Sequence, residues 1–220
     1  MEIQISQKIK QLVNDFQLGV VHYQNIQVSE SPQMLKGRLR LFQESLYFDY
    51  ADKKINEIPA INEWRKLFKT IGTDPSRYRP SSEALYRRVQ KQQYLDYVNS
   101  AVDLNNFLSL QYQIPLGIYD VKQIKGNVSI EIGTDQATYL AINGRDVSMA
   151  KKLVSVDDAG PFGSPYVDSK RTAVSTSTTD ALHLVYLQPS QAKEDAAQLL
   201  QALAKMFTQI HGGEATFNIY

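Results

Sequence analysis

Cysteine is absent from the 220-residue chain, which excludes disulfide bonds, thiolate catalysis and cysteine-ligated zinc or iron–sulfur centres. Histidine is scarce: His22, His183 and His211 are the full set, and no two have the spacing of a helical zinc site. No metal or other cofactor is expected. No run approaches the ~18 consecutive apolar residues of a membrane span. The opening MEIQISQKIK has no apolar segment that could serve as a signal core. A soluble, cytoplasmic protein with no membrane partner is the expectation. A large excess of one charge is also missing, since the formal net charge is +1. Any affinity for nucleic acid must therefore come from local clustering.

What is present is 43% apolar residues and thirteen tyrosines, enough for the core of one sizeable domain. Ser6 is placed to cap a helix through Ile9, Leu12, Val13 and Phe16, and LGVVHYQNIQV reads as a strand. Ser31 and Pro32 precede an amphipathic helix that ends near Tyr50. Pro59 opens a helix with Ile61, Trp64, Leu67 and Phe68 on one face, closed by Gly72. Ser81 or Ser82 caps another, and the pattern from Tyr94 to Leu110 predicts a further helix.

After Pro115 short β-rich runs take over: GIYDV, NVSIEIG, ATYLAI, KLVSVDD, AVSTSTT and ALHLVYL. The long loop DAGPFGSPYVDSKRT interrupts them, and a loop of that length is more often functional than idle. Ser190 is read as the cap of a last helix stopped by Gly212 and Gly213, with ATFNIY as a final strand. Helices first and strands later predict an α+β fold in a single domain, with a helical N-terminal half and a mainly antiparallel or mixed sheet after it.

Four stretches and one histidine could carry chemistry. Between Arg65 and Lys91 eight basic residues face two acidic ones, a local net of +6. Arg77, Arg87, Arg88 and Lys91 there could contact RNA phosphates with Tyr78 and Tyr86 stacking on bases, or the stretch is a solvated helical face. In RPSSEALYRR, Arg79 could aim its guanidinium at an anionic group, with Ser81 beside it, or the segment is a helix cap alone. Asp103, Asn106 and Ser109 share one helical face and either line a polar pocket or cap neighbouring loops. In VDSKRT, Asp168, Ser169, Arg171 and Thr172 could bind an amino-acid-like ligand, or Asp168 and Arg171 form an ion pair that shapes the loop. His183, alone in its strand, reads as either a satisfied residue or a base. No activated nucleophile stands out, and the catalytic residues are left unassigned.

These segments together resemble the B3/B4 module of the bacterial phenylalanyl-tRNA synthetase beta subunit, in a free-standing form. In VDLNNFLSLQYQIPLGIYDVKQIKG, Asn106, Pro115, Tyr119, Asp120 and Gly126 match the family's helix, turn and strand. RPSSEALYRR, KLVSVDDAGPFGSP and VDSKRT resemble further segments of the same group. The resemblance covers about residues 60 to 190, with the first 55 as a helix–strand–helix extension. It implies tRNA binding, a pocket for an amino-acid group, and editing hydrolysis of a misacylated tRNA. The synthetase's editing histidine falls on Gly117, and its threonine on Asn105. The place of its tyrosine-recognising glutamate lies close to His183. The expected function is an RNA-binding protein with an amino-acid-type pocket that acts on aminoacyl-tRNA in trans. A non-enzymatic binder of an amino-acid-like metabolite is the alternative.

Overall fold

The computed structural model describes residues 1–220. The apolar stripe Leu35, Leu39 and Leu46 buries one side of α2 (Gln33–Tyr50). Ile61, Trp64, Leu67 and Phe68 do the same for α3 (Pro59–Thr70). α4 (Ser81–Gln90) and α6 (Lys193–His211) follow the same rule, whereas α5 (Ser100–Tyr112) is buried around most of its circumference and the short α1 (Gln7–Leu12) buries Ile9 alone.

Two four-stranded sheets stand against these helices. The first has the order β1 (Ile3–Ile5), β4 (Val128–Ile132), β7 (Leu153–Asp157), β8 (Gly160–Gly163), parallel only between β1 and β4. The second is antiparallel throughout: β10 (Glu214–Ile219), β2 (Leu18–Gln24), β9 (Ala181–Tyr186), β3 (Leu116–Asp120). A small hairpin joins β5 (Thr138–Leu140) to β6 (Asp146–Ser148). The fold is α+β. The first 55 residues supply a strand to each sheet, and β2 is an interior one.

Two cores result from the two-residue alternation of the second sheet. Val21, Tyr23, Ile118 and Val185 face α2, α4, α5 and α6. Leu18, Val20, Tyr119, Leu182, Leu184 and Tyr186 face the first sheet, with Ile130, Leu153 and Phe162 opposite and Trp64 and Phe68 of α3 alongside. Gly19 lets α6 come close: a Cβ there would lie 2.5 Å from Leu200 Cδ2.

Several local expectations are corrected. Ser6 precedes α1 without a side-chain cap, and Pro32, Pro80 and Ala192, not serines, occupy the N-cap positions of α2, α4 and α6. Ser31 donates instead to Asp103. The helix expected from Tyr94 starts only at Ser100, because Asn99 Oδ1 accepts from Val102 N and Asp103 Oδ1 from Val98 N, holding the preceding backbone outside the helix. AVSTSTT is no strand. Its hydroxyls satisfy local groups, Thr178 accepting from Ser175 N and donating to Asp120, the competition with the ladder that serine and threonine offer. The loop DAGPFGSPYVDSKRT contains β8.

Candidate functional site

β3 and β9 pair with Ile118 opposite His183, Gly117 opposite Leu184 and Tyr119 opposite Leu182. Alternation therefore sends Gly117 and Tyr119 between the sheets and His183 to the helical side. The site expected from sequence is thus divided by the sheet.

Between the sheets the centre is Tyr119, with no exposed surface. Its hydroxyl donates to Asp168 Oδ1 at 2.5 Å, and Ser164 N donates to the same oxygen at 3.3 Å. A Cβ at Gly117 would lie 2.1 Å from the Tyr119 hydroxyl oxygen, and one at Gly163 2.3 Å. The ring thus fills the space that side chains on β3 and β8 would need. Phe162 meets it edge-on at 5.0 Å. Tyr139 donates to Val167 O at 2.5 Å, and Tyr186 shares a hydrogen bond with Ser155 at 3.1 Å. Burial pushes the Asp168 carboxyl up to about 7, against the Tyr119 and Ser164 hydrogen bonds that favour its charge. Burial also raises the Tyr119 phenol, with the Asp168 charge adding to it.

Tyr139 and Ser169 connect this cluster to a cleft of about 440 Å³ whose other walls include Thr138, Leu140, Lys170 and Arg171. The expected Asp168–Arg171 pair does not form. Arg171 makes a two-pronged ion pair with Asp157, at 2.9 and 2.8 Å, and also donates to the carbonyls of Gln123 and Gly160. Burial opposes charge on Asp157, but Arg171 and the amides of Lys125 and Ala159 outweigh it and hold the carboxyl below its usual range. Ser169 and Thr172 are buried and hydrogen-bond each other at 3.3 Å.

On the helical side, His183 Nε2 lies 2.9 Å from Asn105 Oδ1 and Nδ1 lies 3.4 Å from the Tyr23 hydroxyl. Burial pushes its pKa down to about 3, so the ring is neutral. Nε2 is then the protonated nitrogen, because Asn105 Oδ1 can only accept. The shared face of Asp103, Asn106 and Ser109 does not line a pocket as a unit. Asp103 accepts from Ser31 and Val98 N, Ser109 donates to Ile114 O, and Asn106 is partly exposed.

The basic stretch also divides. Buried Glu83 takes Arg65 and Arg87, each at 2.9 Å. Arg88 reaches Tyr94 O at 3.2 Å and Asp96 at 3.8 Å. Arg77, Arg79 and Lys91 are exposed and make no ion pair. Arg77 and Lys152 stand over the Tyr78 ring, whose edge meets Tyr166, and Ser81 N donates to Pro165 O. The Arg77–Arg79 corner therefore abuts the loop that carries Asp168. Arg87, Arg88 and Lys91 lie at the other end of α4, roughly 10 Å along at 1.5 Å per residue.

The B3/4 domain model matches residues 63–205. The chain belongs to the B3/4 domain family. It is 36% identical over 216 residues to the protein YhzB of Bacillus subtilis (strain 168), covering 98% of both chains. It is 30% identical to the phenylalanine–tRNA ligase beta subunit of Rhodopseudomonas palustris over 105 residues, 47% of this chain and 13% of that subunit. An N-terminal fragment of the phenylalanyl-tRNA synthetase beta subunit from Pyrococcus horikoshii aligns with a TM-score of 0.47 at 10% identity, over 97% of this chain and 50% of that one.

The matched segment of this B3/4 chain contains Arg79, Gly117, Tyr119, Asp168, Arg171 and His183, and omits β1, β2 and β10. Sequence reasoning missed Tyr139, Phe162, Gly163, Ser164 and Tyr186, which complete the inter-sheet cluster. Their signal was slight. Gly163 and Ser164 look like loop punctuation in GPFGSP, and a buried tyrosine in a strand looks like any core residue.

Proposed function

We propose that this B3/4 protein is a cytoplasmic, single-domain RNA binder, with tRNA as its partner. It receives an amino-acid-type group at the cleft beside Tyr139, Ser169 and Arg171. The name of the similar ligase subunit supports tRNA as the partner. The unpaired Arg77 and Arg79, next to the Asp168 loop, supply charge where an acceptor end entering the cleft would carry phosphates. Binding is ranked above hydrolysis on one observation: the ring of Tyr119 occupies the space over Gly117, the position that matches the synthetase's editing histidine. A second reading, slow deacylation, is favoured by Asp168. Burial pushes its carboxyl up to about 7, the range that suits a base near neutral pH, and it neighbours the cleft residue Ser169.

Incubation with a panel of charged and uncharged tRNAs tests both readings. Tighter binding of one charged tRNA than of its uncharged form, without loss of the amino acid, is expected. Equal affinity for charged and uncharged forms removes the amino-acid pocket, and no affinity for any tRNA sinks the proposal. Deacylation abolished by Asp168→Asn would establish the second reading.

A further inference from the structure

β10 leaves one side of its backbone open. Tyr220 and Leu18 exchange both backbone hydrogen bonds, at 2.9 and 3.0 Å. By the alternation of an antiparallel ladder, Glu214, Thr216 and Asn218 also bond β2, and Ala215, Phe217 and Ile219 turn their N–H and C=O groups outward. β10 ends its sheet, and no other segment's backbone takes up those groups. The opposite edge is closed, since Asp120 N donates to Thr172 O and Tyr119 bridges Ala173 beside β3. β10 carries none of the usual guards of an open edge, neither lysine nor proline nor bulge. Its side chains are sorted by face. Ala215, Phe217 and Ile219 lie opposite Tyr23, Val21 and Gly19 on the side that α6 covers, whereas Glu214, Thr216 and Asn218 are exposed on the other. α6 is seated over β2, where Leu200 meets Gly19, and leaves Phe217 37% exposed.

We propose that β10 pairs antiparallel with β10 of a second copy of the chain about a twofold axis at Phe217, joining the two antiparallel sheets into one. In that register Phe217 exchanges both bonds with its copy, and Ala215 does so with Ile219 of the other chain, so every outward N–H and C=O is paired. An axis at Thr216 would set Ile219 against Gly213, whose φ of 71° is not strand backbone, and an axis at Asn218 would leave Ala215 without a partner in β10. The faces match as well. Small Ala215 lies beside Ile219, the phenyl rings meet at the axis on the apolar side, and Thr216 faces Asn218 on the polar side. Glu214 is the strand's sole charge, and its two copies are held about 20 Å apart, beyond the Debye length of about 8 Å. A twofold pair closes on itself and leaves neither sheet with an open edge. A foreign strand added to β10 would only move the open edge outward, so a second copy is the occupant that completes the sheet.

Sedimentation equilibrium of the full chain over a concentration series tests this. The wild type is expected to approach twice the monomer mass. Residue 217 faces itself across the axis, so Phe217→Lys and Phe217→Glu should each weaken self-association by more than about tenfold, with like charges on backbones about 5.5 Å apart. An equimolar mixture of the two variants should regain the dimer, a rescue that only pairing of 217 with 217 gives. Thr216→Lys/Asn218→Lys alters exposed positions alone and sets lysine against lysine, so it should dissociate the pair, whereas Thr216→Lys/Asn218→Glu should keep it. Circular dichroism and thermal unfolding establish that each variant is folded. A wild type that stays monomeric at every concentration overturns the proposal, whether or not a peptide adds to β10. So does a dimer that Thr216→Lys/Asn218→Lys leaves intact, or a mixture of folded Phe217 variants that stays monomeric.

Discussion

Gly117 and Tyr119 act as one unit, because residues two apart on a strand share a face and here one fills the place of the other. A methyl at 117 would collide with the buried phenol. Gly117→Ala should therefore cost about 1–3 kcal/mol, the usual range for overpacking a full core. Tyr119→Leu vacates the same space, so the double variant should lose less stability than the sum of the singles, measured by urea unfolding. Asp168 makes a separate prediction through pH. The unfolded carboxyl ionises near about pH 4, the folded one at about 7. Between those values the folded state holds a proton that the unfolded state has released, so the contribution of Asp168 to stability falls as pH rises through this window. Asp168→Asn should be more stable than the wild type at about pH 8 and lose that advantage at about pH 4. An equal difference at both pH values would show that the carboxyl is not raised.

At the scale of the element, the N-terminus of α5 is held by a side chain and that of α4 is not. Asn99→Ala removes the cap on Val102 N and should cost about 1 kcal/mol. Ser81→Ala should change unfolding free energy by under about 0.5 kcal/mol, because Ser81 caps nothing. This contrast marks what was legible in the sequence. The stripes of α2, α3 and α6 were readable, because burial of a periodic face requires only one side chain type at the right spacing. Caps were less so: a serine before a helix competes with a proline that has the right backbone angle and with other partners, as when Ser31 turns to Asp103. β3, β4, β5, β7 and β9 were visible from β-branched content, but β1 and β6, three residues each, were too short to register, β8 lay inside the loop-like GPFGSP, and AVSTSTT had the content without the strand. The candidate site was legible as residues and not as geometry. Asn105, Tyr119, Asp168 and His183 each proved buried or hydrogen-bonded, yet which face of the sheet each occupies depends on the pairing of β3 with β9. That register is a long-range fact. Asp157 shows the same limit: its pairing with Arg171 spans β7 and a distant loop, where sequence proximity favoured Asp168.

Over the whole molecule, charge is divided between used and unused groups. Arg65 and Arg87 are held by Glu83, while Arg77 and Arg79 have no carboxylate partner at the corner beside the candidate cleft. If RNA is bound there, affinity should fall with salt. Arg77→Ala/Arg79→Ala should lower the salt slope by about 1.5, since each phosphate contact contributes about 0.7 to 0.9. The same double variant should leave thermal unfolding nearly unchanged.

The topology also determines which length of chain can fold. The family match begins at residue 63 and ends at 205, but β2 lies between β9 and β10 in the second sheet and packs Val21 and Tyr23 on one side, Leu18 and Val20 on the other. Removing it opens both cores and leaves β9 with an unpaired edge, a row of donors and acceptors that invites aggregation. The loss also removes the strand that lets α6 pack at Gly19. A fragment of residues 63–205 is therefore expected to be insoluble or to lack a cooperative thermal transition, whereas the full chain unfolds in a single one. A fragment with a sharp transition of its own would mean that the second sheet can close without β2, and that the first 55 residues are an addition to a domain already complete.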